Sequence, residues 1–252
     1  GPSSRFDMGN VLILDLASGQ LDSVSDLALF GGANALAVES APGRWEIVQA
    51  GHAELIAPGR YRLTRLLRGQ RGTEHAMGHP APTGARVVLL NEALTPLPIP
   101  EADIGIPFNW RIGPARHPVS SDTFVAVSFT PGGEGLRPFS PVHVDQPWRR
   151  PHVPGDLTLR WTRRARALAA DSWPGMEVPL TEEREAWLVE ILDGVAVRRS
   201  LEANTNSVTY TAAQQTTDFG ALLTAGDSLT LRICQLSTRI GRGTAITTTL
   251  YL

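Results

Sequence analysis

Short β-branched and aliphatic runs alternate along this chain with clusters of Gly, Pro, Asn and Asp, the pattern of β-strands bounded by turns. In the first half the runs lie at 11–14, 34–39, 45–50, 60–66 and 85–90. Ala41-Pro42-Gly43 and Ala57-Pro58-Gly59 mark turns between them. Residues 60–66 alternate with a period of two, which puts Tyr61, Leu63 and Arg65 on one face of a strand. Residues 91–122 carry six prolines (Pro96, Pro98, Pro100, Pro107, Pro114 and Pro118) and cannot form a central strand or a helix. They read as an extended meander that wraps the first domain and ends at a strand over 124–129. Three Gly and three Pro within 130–141 mark a domain boundary.

Beyond that boundary the alternation is cleaner. Leu157, Leu159 and Trp161 share one strand face, as do Trp187, Val189 and Ile191, then Val208 and Tyr210, then Leu229, Leu231 and Ile233. A last strand spans 245–251. These spacings suit a seven-stranded immunoglobulin-like sandwich with Trp161, Trp187 and Tyr210 in its core. The order Asp156–Trp161, Trp187–Ile191, Leu229–Ser237 and Gly241–Gly243 resembles a fibronectin type III domain. The expected fold is therefore all-β: an N-terminal β-domain over 5–139 with a long Pro-rich meander, then a fibronectin type III-like sandwich over 140–252. Residues 1–4, Gly-Pro-Ser-Ser, look like a remnant of tag cleavage, so the chain reads as a piece of a longer protein. No helix of ordinary length competes, although 213–221 has room for a turn or two.

Composition narrows the function classes. A hydrophobic content of 42% can fill a real core, so no large disordered region is expected. The net charge of −2 lacks the basic face that nucleic-acid binding requires. All 23 basic residues are Arg. A GC-rich genome accounts for that, or Arg forks that bind carboxylates or sugars. Cys234 is the only cysteine, which rules out an intramolecular disulfide and is compatible with assembly in a reducing cytoplasm. No apolar run approaches the roughly 18 residues of a membrane span, and no signal peptide is visible.

The segments Trp45–Gln49, Ala53–Glu74 and Gly84–Asn91 resemble the C-terminal part of long-tailed phage tail-tip proteins. The closer likeness is to the large host-specificity baseplate protein of gene transfer agents. Ser140–Val144, Gly155–Arg164 and Glu182–Trp187 resemble the same family, and Leu67-Arg68-Gly69-Gln70-Arg71-Gly72-Thr73 is the most specific piece. The resemblance covers most of residues 10–250. It implies a virion-like tail-tip component, made in the bacterial cytoplasm, that is homotrimeric in its parent assembly. Other tail or baseplate proteins and a bacterial surface polysaccharide or other cell-surface receptor would be its partners. The hydrolase-like part of the family lies upstream of the matching region, so its activity does not carry over.

The residues themselves offer little catalytic chemistry. His75 and His79 have the spacing of a helical metal pair, but Gly78 and Pro80 oppose a helix, which leaves a polar loop. Gly69 and Gly72 around Arg71 fit a sharp turn of positive φ rather than a phosphate loop. Glu182, Glu183 and Glu185, with Asp171 and Glu177, could be a glycosidase's carboxylates, but a solvated strand edge accounts for them better. No Gly-x-Ser-x-Gly elbow occurs. Cys234 faces away from Leu231 and Ile233, toward solvent or another domain. No enzyme activity, metal or cofactor is expected. Arg149, Arg150, Arg160, Arg163, Arg164 and Arg166 form the densest basic stretch, either a surface for an anionic glycan or lipid headgroup or solvated strand faces and loop ends paired with the acidic run 182–185. Trp148 and Trp173 sit in Pro-flanked loops, where Trp stacks on sugar rings or fills an interface. The expected ligand-binding residues are Trp173, Arg163, Arg164, Arg166 and Trp148. An accessory domain of a carbohydrate-active cell-wall-degrading protein and a pure structural spacer are the competing readings.

Overall fold

A computed structural model describes residues 5–77, 81–144, 152–166 and 178–252. Strands hold 41% of the described residues and helices 10%, which makes this an all-β protein. By internal contacts it divides into residues 1–93 with 137–252, and residues 94–136.

The first sheet comprises β1 (Leu12–Asp15), β2 (Ala35–Ala41), β3 (Arg44–Ala57), β4 (Arg60–Gln70) and β5 (Val87–Leu89). They pair antiparallel in the order β1-β4-β3-β2-β5. Pro58-Gly59 closes the β3–β4 hairpin. Pro presets φ for the first corner and Gly59 supplies the positive φ (70°) of the second. A Cβ on Gly59 would also stand 2.9 Å from the Leu16 carbonyl oxygen, so both backbone and space require glycine. Alternation buries Leu36, Val38, Val48, Ala50, Tyr61 and Leu63 in one cluster with Leu14. It breaks at Arg65, which the period-two pattern puts beside Tyr61 and Leu63. Arg65 adopts φ 55° opposite Gly51, and its guanidinium leaves the core side to pair with Asp26 and cover the Phe6 ring at 4.0 Å. Asp26 opens a short helix, α1 (Asp26–Phe30), that the strand pattern did not signal. Ser25 caps it by accepting from the Ala28 amide, and Leu29 anchors it in the interior.

Residues 94–136 hold an antiparallel ribbon of β6 (Phe108–Ile112) and β7 (Val125–Phe129). Six prolines argued against regular structure before residue 122, but the window between Pro107 and Pro114 is proline-free and long enough for one strand. A two-stranded ribbon also tolerates nearby proline, because half its backbone groups need no partner strand. The register puts Phe108, Trp110 and Ile112 on one face with Phe129, Val127 and Val125.

The second half forms two sheets around one core. The larger contains β9 (Trp187–Asp193) between β10 (Ala196–Ala203) and β12 (Ser228–Ser237), with β13 (Gly241–Arg242) and β14 (Ile246–Tyr251) both on β12. The smaller pairs β8 (Leu157–Arg160) with β11 (Ser207–Tyr210). The alternating positions read from the sequence meet here: Leu157, Leu159 and Trp161 pack against Trp187, Val189, Ile191, Leu229, Leu231 and Ile233. The Trp161 and Trp187 rings lie edge to face at 5.4 Å, and Tyr210 is fully buried. The turn or two anticipated at 213–221 is α2 (Ala212–Phe219), closed by a Thr211–Gln214 capping box. Its buried Gln215 donates to the Gly155 and Tyr210 carbonyls and accepts from the Leu223 amide, so the amide is satisfied inside the core.

Candidate functional site

The end of β4 and the turn after it hold a cluster of polar contacts. Arg68 makes a fork onto Glu46 of β3, with Nε at 2.5 Å and Nη2 at 2.6 Å, and the Gly69 amide donates to the same carboxylate at 3.0 Å. Asp7 adds a second carboxylate 3.6 Å from Arg68. Both acids are almost wholly buried, so the fork neutralises charge that the interior would otherwise reject. The adjacent Glu46 also holds the Arg68 guanidinium above its ordinary pKa. Thr73 then accepts from the Ile47 amide (2.9 Å) and donates to the Gln70 carbonyl (2.8 Å), which ties the turn back to β3.

The same turn meets the segment leading into the sandwich. Gly72 has φ 83°, and a Cβ there would press into the Phe139 ring at 2.7 Å. Glu74, in the 3-10 turn Thr73–Ala76, accepts from Arg164, whose guanidinium lies 5.1 Å from the Phe139 ring centroid. The Thr244 amide donates to the Pro138 carbonyl at 2.9 Å, and Val142 pairs with Thr162 by two backbone hydrogen bonds. Residues 138–144 therefore run between the first sheet and the sandwich, held from both sides. The sharp turn of positive φ expected at Gly69–Gly72 is this joint.

The arginine run expected to bind a ligand is turned inward. Arg163 is 7% exposed; its Nε donates to the Val178 carbonyl (2.6 Å) and its Nη1 to Glu185. Glu185 also accepts the Trp187 indole N–H at 2.6 Å, so one carboxylate fixes the arginine and a core tryptophan. Arg166 donates to Glu182 at 2.5 Å, and that glutamate side chain is 1% exposed. Arg164 faces Glu74, as above. Of the two readings open for this stretch, pairing with the acidic run 182–185 describes Arg163 and Arg166, but the pairs are largely buried rather than on the solvated strand edge expected for those acids. Trp148 and Trp173 lie outside the described residues, as do His79, Asp171 and Glu177. Glu182 and Glu185 face arginines rather than each other across a cleft. Glu183 accepts weakly from the Thr238 amide (3.4 Å); its own backbone amide, and after it Thr238, hold its carboxyl below the ordinary range. No group of three potential metal ligands occurs among the described residues.

Residues 1–88 match the family model described as Rcc01698-like, C-terminal. The match takes in the whole first sheet up to β5 and includes the Arg68–Glu46 fork, Gly72 and Glu74. A comparison with the curated proteins gives no match. The matched segment thus supplies one side of the joint, and residues 138–144, 164 and 244 supply the other.

A second charged cluster escaped the sequence reading. Glu190 on β9 accepts from Arg232 of β12 at 2.6 Å and from Arg242 of β13 at 3.0 Å. The two guanidiniums hold the Glu190 carboxyl below its ordinary pKa against the opposing effect of burial. Cys234 lies buried beside them, which pushes its thiol up and makes it a poor nucleophile. A glutamate inside the apolar run 187–192 and an arginine inside 229–234 were the available signals, because a charge in a buried strand demands a cross-strand partner.

Proposed function

We propose that this chain is a structural and host-recognition module at the tip of a phage-like tail of the gene transfer agent kind, where it contacts the bacterial cell surface. The single observation behind this reading is the joint at Leu67–Glu74. The segment carrying the most specific resemblance to tail-tip proteins is also the one that fastens the first sheet to a second β-body. A β-module with such a joint suits a tail tip, which must transmit position from the tube to whatever it touches. The second body is proposed to be a fibronectin type III-like domain, a common form of spacer and display element. Other tail proteins and further copies of the chain, as a trimer, would be its neighbours in the particle, and the reading assigns it no catalytic step.

The test is adsorption. Fluorescently labelled full chain is mixed with intact cells of the bacterium that makes it and with cells stripped of surface polysaccharide. Saturable binding lost on stripping supports recognition, and equal or absent binding to both contradicts it. A pure spacer is the second reading, favoured by the inward pairing of Arg163, Arg164 and Arg166. It predicts no adsorption, together with loss of particle assembly when the joint is cut.

A further inference from the structure

We infer that the sandwich carries a binding site for an acidic sugar unit at the β12–β13 turn, lined by Arg184, Leu236, Ser237, Thr238, Gly241 and Arg242, a depression of about 200 Å³. The inference rests on the recognition reading above and gives it a location. The bend that precedes β9 forms one wall and the β12–β13 turn forms the other. The Glu183–Thr238 contact and the Leu236 amide bond to the Ala186 carbonyl (2.8 Å) hold the walls together. The site is thus built by backbone pairing and does not depend on a ligand for its shape.

Its charge distinguishes it from the arginine run 163–166. Arg163 and Arg166 each have a carboxylate of their own, whereas here Arg232 and Arg242 share the single carboxylate of Glu190. Arg184 is exposed and has no ion pair among the described residues. Arg184, Arg232 and Arg242 thus stand against the single carboxylate of Glu190, which leaves the local charge positive. The Arg242 side chain is 63% exposed, with only one of its nitrogens on Glu190, so most of its fork remains open. A carboxylate is the planar acceptor that such a fork matches.

The remaining wall groups select a sugar over a bare ion. Leu236 offers an apolar surface for the C–H face of a ring, and the exposed Thr238 offers a hydroxyl for the ring's own. Nothing stands within 4 Å of where a Cβ on Gly241 would point, which leaves one side open for a chain to continue. The chemistry therefore fits a uronic-acid unit inside a longer polymer. Contact through exposed guanidiniums weakens as salt rises, since screening acts within about 8 Å at physiological ionic strength.

The experiment titrates the full chain with trigalacturonic acid, with neutral trigalactose and with a triglutamate peptide, by NMR at low and moderate salt. The expected result is saturable shifts around the β12–β13 turn with the acidic trisaccharide alone. Binding should fall at least tenfold in Arg184→Ala and disappear in Arg184→Glu, while Arg44→Ala, an exposed arginine on the first sheet, leaves it unchanged. Equal binding by Arg184→Ala, equal binding of trigalactose, or equal or tighter binding of triglutamate would each overturn the site. Cell adsorption that persists in Arg184→Glu refutes this location but leaves the recognition role standing. Loss of adsorption from wild type with trisaccharide binding intact does the reverse.

Discussion

Arg163, Arg164 and Arg166 crowd one short stretch of chain, while Arg184 and Arg242 come from the bend before β9 and the far side of the β12–β13 turn. Linear density suggested that the first group was the ligand surface, and spatial pairing reverses the ranking. Glu185, Glu74 and Glu182 each take one arginine of the run, so its field is cancelled within a hydrogen-bond length. Arg242 must share its acid, and Arg184 has none among the described residues. The arginines available to a ligand are those left over once the interior acids are neutralised, wherever they lie in sequence.

The largest effect that would break this contrast lies at Arg163. Removing one partner of a buried pair leaves the other charge uncompensated, so Arg163→Ala should cost about 3–5 kcal/mol. Urea unfolding measures it, and a loss under about 1 kcal/mol would mean that the run is not structural. Arg164→Ala, at the half-open joint with Glu74, should cost about 1–3 kcal/mol, the worth of a hydrogen bond between charged groups. It should also speed limited proteolysis between 137 and 144, because Phe139 loses the guanidinium above it. At Arg184→Ala the prediction is a stability change within about 0.5 kcal/mol, as for a surface substitution away from any network. A larger loss would mean that Arg184 belongs with the committed group.

An exposed pair supplies the smallest and purely electrostatic test. The Arg86 fork and the Gly43 amide hold the Glu39 carboxyl down to about 2. A depressed folded-state value stabilises the fold above the ordinary carboxylate range, and that stabilisation is lost as pH falls from about 4.5 through 2. Glu39→Gln should flatten the acid limb of the stability curve in that window and leave stability above pH 5 independent of pH at this site. An NMR titration of Glu39 with a midpoint near 4.5 would contradict the pairing.

The all-β class and the sandwich core were legible because burial imposes a period of two on every strand. Leu157, Leu159 and Trp161 could face the interior only together. Arg65 was misplaced by the same rule, since a left-handed residue opposite a glycine resets the alternation and the pattern cannot show it. β6 was hidden by its flanking prolines, although the five residues after Pro107 already paired apolar positions with those of 125–129. Pairing of the arginine run with the acids 182–185 was one of two readings, without the partners Arg163–Glu185 and Arg166–Glu182 being assigned. Proximity in sequence could not choose between them, because the decision depends on which face of the entry to β9 the acids occupy. The joint at Gly72 was legible only as a turn, since its other half comes from Phe139 and Thr244, remote in sequence.

The most direct test of the division between committed and available arginines is the exchange of guanidinium Nε–H protons in the full chain, read by 15N NMR during titration with trigalacturonic acid. Buried and bonded donors exchange slowly, and solvent-facing ones exchange fast. Slow exchange and an unmoved signal at Arg163, whose Nε donates to the Val178 carbonyl, are predicted, with fast exchange at Arg184 that slows and shifts as the sugar is added. Fast exchange at Arg163, or sugar-induced shifts confined to Arg163, Arg164 and Arg166, would contradict the account.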